Sequence, residues 1–222
     1  MIRTDLDTDQ GAAVYTPLIL KLYDWWVLGF SNRYAWQCST RDVLLPFFQQ
    51  HVGKRHLDVG VGTGFYPAHA RMSASSHLSL LDLNPDSLDA AQRRLKPRAV
   101  QKILHDVMEP LPPRTPHGFD AISLFYLLHC LPGTMSDKAQ VFAHLKSHLA
   151  AQGVLYGATI LGDGAKHNRL GRRLMALYNG KGIFGNLGDT SEGLRQALSL
   201  HFADVRIREV GQVALFEARQ PI

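Results

Sequence analysis

The sequence predicts an α/β domain built on a mostly parallel sheet, and three observations carry that prediction. Short apolar runs alternate with amphipathic stretches from residue 54 to residue 161. Strict alternation of this kind implies parallel strands joined by right-handed crossovers. One of the runs ends in Gly60, Gly62 and Gly64, the kind of turn that lets a backbone pass close to a ligand as a strand gives way to a helix. The chain has 222 residues, 45% of them hydrophobic and 19% charged, enough for one domain with a full core and no staples.

The elements follow in order. Residues 14 to 51 read as an aromatic-rich helical region holding Tyr15, Tyr23, Trp25, Trp26, Phe30, Tyr34, Trp36, Phe47 and Phe48. HLDVGVG is a buried strand and its turn, and residues 65 to 73 are a helix. LSLLDLNP is a second strand with a proline stop. SLDAAQRRL is an amphipathic helix for which Ser87 is the candidate cap. AVQKILHD is a third strand, and FDAISLFYLLHCL a fourth that runs into Pro132-Gly133. SDKAQVFAHLKSHLA is a helix with Gly153 as its stop, and GVLYGATIL is a fifth strand. Beyond Leu161 the rhythm changes. GDGAKHNRLGRRLMALYNGKGIFGNLGDT carries seven glycines around one helical patch. It is too long for an ordinary connection and reads as a lid. TSEGLRQALSLHF is a further helix capped by Thr190 or Ser191. ADVRIREVG and QVALFEARQ are a strand pair around Gly211, an edge hairpin. The expected division is a helical cap over 1–51 and a sheet domain over 52–222, with the lid at about 162–190.

Composition narrows the function classes. The two cysteines, Cys38 and Cys130, form no Cys-x-x-Cys and have no histidine at zinc spacing. A disulfide framework and a structural zinc site are not expected, and a reducing cytoplasm is. The opening MIRTDLDTDQGAAVYTPL lacks a basic stretch followed by an apolar run, so no signal peptide is expected. Every apolar run is far short of the roughly 20 residues that cross a bilayer. Net charge is +5 and the pI about 9.3. The basic residues are dispersed apart from Arg93-Arg94 and Arg172-Arg173, a solvated surface rather than a nucleic-acid footprint.

The strongest chemical signal is Asp58-Val59-Gly60-Val61-Gly62-Thr63-Gly64, after the strand residues His56 and Leu57. A dinucleotide fingerprint needs its last glycine at position 65, where this chain has Phe65. The spacing is G-x-G-x-G with an acid at the strand's end. Asp82-Leu83-Asn84-Pro85 closes the second strand, 18 residues past Gly64. A carboxylate at that place can accept two ribose hydroxyls through charge-assisted bonds. His105-Asp106-Val107-Met108 closes the third strand, and Phe125-Tyr126-Leu127-Leu128-His129 follows the fourth, in the crevice where open α/β sheets bind ligands.

These motifs resemble those of class I S-adenosylmethionine (SAM)-dependent methyltransferases over roughly residues 54 to 160. The resemblance implies a Rossmann-like fold with a seven-stranded, mostly parallel sheet, an antiparallel edge hairpin and a helical N-terminal cap. It implies SAM as cosubstrate, with Asp58, Gly60, Gly62 and Gly64 shaping the pocket for the methionine end, and Asp82 and Leu83 at the ribose. It further implies Asp106 at the adenine amino group, the Val107 backbone at the ring, and Phe125 in the pocket wall. Members that methylate base amines carry Asn-Pro-Pro-Tyr where this chain has Phe125-Tyr126-Leu127-Leu128, so no nucleobase substrate is expected. The metal-dependent catechol type needs carboxylates there that this segment lacks, so no metal is expected. The flanks NRYAWQC, FYLLHCLPG and ALYNGKGIFGN are similar to a subgroup of small bacterial proteins close to enzymes that cyclise SAM to azetidine-2-carboxylate.

The sulfonium of SAM attracts aromatic faces by ~0.5–2 kcal/mol, which makes Tyr15, Tyr23 and Tyr34 the candidate cap over it. Tyr126, His129 and Tyr178 are the candidate catalytic groups, with His167 a further base candidate in the lid. Three functions stay open. The first is methyl transfer to O or N of a small, secondary-metabolite-type acceptor. The second is attack of the methionine amine on its own Cγ with release of methylthioadenosine. The third is a non-catalytic SAM-binding module. The expected partner is a small molecule, with no nucleic acid and no membrane, and the protein a monomer or homodimer.

Overall fold

The computed structural model describes residues 24–162 and 166–222. A seven-stranded sheet runs through it in the order β3-β2-β1-β4-β5-β7-β6. The strands are β1 Arg55–Val59, β2 His77–Asp82, β3 Val100–Leu104, β4 Phe119–Phe125, β5 Leu149–Ile160, β6 Phe202–Val210 and β7 Val213–Pro221. Strands β1 to β5 pair in parallel. Strand β7 pairs antiparallel with both β5 and β6, so the hairpin around Gly211 does enter the sheet. The strand order reverses between β1 and β4. That switch point lies at the carboxyl ends of the strands, where the Gly60–Gly64 turn and the Tyr126 turn emerge, the place where such sheets open a ligand crevice.

Helices cover both faces: α1 Leu45–Gln50, α2 Phe65–His69, α3 Pro85–Leu95, α4 Met135–Lys146, α5 Arg169–Gly180 and α6 Ser191–Ser199. Two wider-wound π-helical segments, Asp24–Ser31 and Thr40–Leu44, precede α1. Strands buried on both faces read as continuous apolar runs, and β1 and β4 are buried throughout all but one residue each. On one face Leu57, Ile122 and Leu155 meet Phe142, Leu194 and Phe202. On the other, Trp36, Phe47 and Phe48 from the N-terminal region meet Phe125, Tyr156 and Leu215. Those three aromatics are therefore core side chains, packed on the sheet.

Several boundaries differ from the sequence expectation, each for a local reason. Helix α3 is capped by Asn84, whose Oδ1 accepts from the Asp86 amide at 2.8 Å, with Pro85 in the first turn. Ser87 sits inside the helix and is buried. Helix α4 ends at Lys146, and Gly153 lies within β5, where a Cβ would come 2.8 Å from the Phe119 carbonyl. Helix α2 stops at His69 because the Gln49 side chain captures both backbone polar groups of Arg71. Strand β4 ends at Phe125. Tyr126, at φ +61°, turns the chain out of the sheet into a 3-10 turn over Leu128–Cys130. Thr190 does cap α6, accepting from the Gly193 amide at 2.9 Å.

Candidate active site

The Gly60–Gly64 turn is built from three left-handed residues, with φ +69°, +51° and +69° at Gly60, Gly62 and Gly64. The outer glycines are required for packing as well. A Cβ on Gly60 would strike Leu127 at 2.9 Å and one on Gly64 would strike Ala91 at 2.8 Å. Gly62 faces open space, with nothing within 4 Å of a Cβ, so the middle of the turn offers bare backbone to whatever lies beyond it. Arg94 of α3 ties the turn down by donating to Thr63 Oγ1 at 2.9 Å.

Two carboxylates flank this turn. Asp82 Oδ2 accepts from the Gly62 amide at 3.2 Å and Oδ1 from the Asn84 amide at 2.9 Å. Asp58, 4% exposed, accepts through Oδ1 from the Ser123 hydroxyl at 2.5 Å. Burial pushes the Asp58 carboxyl up to about 7; the Ser123 bond draws it down and the neighbouring Asp82 charge adds to the rise. Burial likewise lifts Asp82, to about 6, against the pull of the Asn84, Gly62, Val61 and Leu83 amides. Asp82 retains partial exposure, so water still reaches one edge of it. A buried and a half-buried carboxylate, both of raised pKa, beside an open backbone turn make a site that favours a cationic ligand. SAM carries a sulfonium and an ammonium, and the donor set and the open Gly62 fit it.

A cavity of about 30 Å³ lies against the turn, lined by Leu28, Asp58, Gly60, Gly62, Phe125 and Tyr126, among others. Leu28 and Phe65 also line a neighbouring cleft of about 480 Å³ that reaches Arg33 and Arg41. A larger hollow of about 800 Å³ sits at the amino ends of β2 and β3, beside Ser76 and Val100. It is at the wrong end of the strands for a ligand crevice.

The expected site residues separate into groups. Asp58, Gly60, Gly62, Phe125 and Tyr126 share the cavity wall. Asp82 joins them through Gly62, and Leu83, half-buried, follows it. Asp106 caps its own turn by accepting from the Met108 amide at 2.9 Å. Its neighbour strand end is linked to β2 by the His105 amide on the Asp82 carbonyl, 3.1 Å. Val107 is buried, and its carbonyl lies 3.2 Å from His144 Nδ1.

Tyr126, His129 and Tyr178 connect through rings: Tyr126 to His129 at 5.4 Å, His129 to Phe184 at 4.6 Å, Phe184 to Tyr178 at 4.9 Å. His129 is buried. Its Nδ1 accepts from the Ile160 amide at 3.3 Å, which places the ring proton on Nε2. Burial, helped by the Lys138 charge, lowers its pKa to about 3, so the imidazole stays neutral. His167 bonds the Leu161 carbonyl at 2.9 Å and meets the Trp36 ring edge-on. Tyr34 is 54% exposed and packs on Phe30. Tyr15 and Tyr23 lie outside the described residues.

Three contributors were missed by motif reading. Leu28 lines the cavity, and its carbonyl accepts from the Thr40 hydroxyl at 2.5 Å. Ser123 and His56 stand behind Asp58. The signal for the last two was present, a histidine and a serine inside otherwise apolar strands. Among the described residues no group of three or more His, Cys, Asp or Glu side chains could hold a metal ion, and no helix is long and apolar enough to cross a membrane.

Known proteins share these features. Residues 57–155 match the methyltransferase domain family. The uncharacterized protein YbcY of Escherichia coli K12 is 50% identical over 192 residues, covering 86% of this chain and 98% of that protein. The physcion biosynthesis cluster O-methyltransferase of Aspergillus chevalieri is 41% identical over 214 residues, covering 96% of each. Among solved structures, the DhpI complex with S-adenosylhomocysteine (SAH) has a TM-score of 0.66 at 14% identity, over 96% of both chains. At that identity the likeness speaks for the fold. With relatives at 41% identity along nearly the whole length, the chain belongs to the class I SAM-dependent methyltransferase superfamily and is a SAM-using enzyme.

Proposed function

We propose that this enzyme transfers the methyl group of SAM to an oxygen or nitrogen of a small, secondary-metabolite-type acceptor. The observation that carries the reading is the pair Asp58 and Asp82 beside the open backbone of Gly62, in a chain whose Aspergillus chevalieri relative is named a biosynthetic O-methyltransferase. Asp82 is assigned to the ribose hydroxyls, with Leu83 beside it, and Asp58 with the three glycines to the methionine end. Asp106 and the Val107 backbone are assigned to adenine. SAM supplies an electrophilic methyl on sulfur, and the chain's task is to align an acceptor in line with it; positioning of this kind is worth ~7–11 kcal/mol.

The segment 162–190 is assigned as the lid over the acceptor and residues 1–51 as the cap, with Tyr15, Tyr23 and Tyr34 its candidate aromatic groups. The cleft between Leu28 and Phe65 is of a size that suits a small organic acceptor. Tyr126 is the candidate group at the reacting atoms because it lines the cavity. The occupied Nδ1 of His129 suits it to hold the lid side through Phe184, together with Tyr178, rather than to take a proton. Cys38 and Cys130 are both thiols, which suits a reducing cytoplasm.

The test is mass spectrometry of the purified protein with SAM, alone and with panels of phenols and amines. SAH formed with an acceptor that gains one CH₂ supports the proposal. Methylthioadenosine and a cyclic amino acid formed from SAM alone would replace methyl transfer by intramolecular cyclisation.

A further inference from the structure

Behind the site runs a buried polar chain that the assignments above leave unused. His56 of β1 and Ser123 of β4 are both 0% exposed. Parallel pairing of β1 with β4 sets Asp58 opposite Ser123 and His56 opposite Ala121, so all three polar side chains meet inside the sheet. His56 Nε2 lies 2.9 Å from Ser123 Oγ, and Ser123 Oγ lies 2.5 Å from Asp58 Oδ1.

The direction of the chain follows from proton count. A serine hydroxyl has one proton, and with Asp58 ionised Ser123 gives it to the carboxylate at 2.5 Å in preference to the Leu57 carbonyl at 3.4 Å. The hydroxyl oxygen must then accept, so His56 carries its proton on Nε2. Two donors in series thus point at Asp58, and each is worth more for pointing at a charge. Asp58 Oδ1 is held, while Oδ2 receives no hydrogen bond from the described residues and the side chain lines the cavity. The arrangement is costly in a core unless it serves the carboxylate, because an apolar pair would fill the same space without desolvating an imidazole.

We propose that His56 and Ser123 are positioning residues for the methionine end of SAM: they favour the anion of Asp58, hold it in one rotamer and present its second oxygen to the α-ammonium. The inference rests on the SAM-binding reading of the site. Titratable groups around Asp58 are His56 on its own strand, Asp82 on β2, Tyr156 on β5, and Tyr66 and Tyr126 across the cavity. Burial holds His56 neutral, at about 3, and lifts the Tyr156 phenol well above its ordinary value. The acidic pair is therefore what changes charge near neutrality.

Calorimetric affinities for two ligands test it. SAH carries the amino-acid end and methylthioadenosine lacks it. Ser123→Ala is expected to weaken SAH by about ten- to hundredfold, the worth of a hydrogen bond to a charged group, and methylthioadenosine by less than about twofold. The pH below which SAH binding declines is expected to move upward in Ser123→Ala, since Asp58 loses the donor that favours its anion. His56→Gln keeps a donor near the place of Nε2 and should stay close to the parent, whereas His56→Leu should follow Ser123→Ala; circular dichroism confirms that each variant is folded. Equal weakening of both ligands, or an unmoved pH profile, would overturn the positioning role. A parent protein that binds neither ligand would overturn the SAM reading itself, and this inference with it.

Discussion

Asp82 and Asp58 divide the work of the site by their surroundings. Asp82 already accepts two backbone amides and is assigned to ribose. Asp82→Ala removes a charged acceptor, so SAM affinity is expected to fall by at least about tenfold; unchanged affinity by titration calorimetry would remove the ribose assignment. Asp58 has a stability signature. Its carboxyl sits at about 7 against an ordinary 3.8. A group raised in this way stabilises the fold fully at low pH and loses that contribution as pH climbs from about 4 through 7. The buried histidines His56 and His129, both lowered to about 3, act oppositely: their contribution is present above 6.5 and lost as pH falls below it. Comparing variants isolates the carboxylate. Asp58→Asn should gain melting temperature relative to the parent with each step from pH 5 to pH 8 in the absence of ligand. A constant difference across that range would show that Asp58 is not buried as described.

The segment proposed as the lid is attached through particular elements. Lys138, on α4, is fully buried and reaches Asp189 at 2.7 Å and the Gly185 carbonyl at 2.8 Å. Asn186 donates to the Ile160 carbonyl at 2.9 Å, and the Gly185 amide to the His129 carbonyl at 2.9 Å. Residues 185–189 are therefore pinned to α4 and β5, while α5 is anchored at its start by Asn168 Nδ2 on the Tyr34 carbonyl at 2.7 Å. Breaking a buried pair leaves one uncompensated charge. Lys138→Met should cost about 3–5 kcal/mol in urea unfolding, and adding Asp189→Leu should recover most of it. If the single change is mild, water reaches Asp189 and residues 185–189 are held more loosely than these contacts imply. Element limits such as the end of α2 were illegible in sequence, because they depend on Gln49 meeting Arg71 across 22 residues.

Taken whole, the residues assigned to SAM at 58–64, 82–83, 106–107 and Phe125 lie at or just beyond the carboxyl ends of β1 to β4, so a ligand bound there would bridge several strands. Such a ligand stabilises the native state by mass action. SAH at about 100 times its dissociation constant should add about 2.7 kcal/mol and raise the melting temperature by about 5–10 °C for a domain of this size. Nicotinamide dinucleotides should leave it unchanged, since Phe65 stands where their pyrophosphate turn needs glycine. A shift with NADH and none with SAH would contradict the family assignment at the level of this chain.

The parallel sheet, its edge hairpin and the glycine turn with Asp58 and Asp82 beside it were legible from residue types and spacing. Those features depend on local chemistry: apolar runs make buried strands, and glycine alone takes the left-handed turn without strain. The partners of those residues were not legible, because they arise from register across the sheet. His56 read as one more strand residue until β1 and β4 aligned it behind Ser123. His129 read as one of several base candidates, and nothing local showed that its Nδ1 accepts from the Ile160 amide, 31 residues away. Leu28 carried no motif, yet it lines both the cavity and the cleft beside it. A periodicity records which face of an element is buried; what lies against that face is settled by long-range packing, which leaves no local pattern to read.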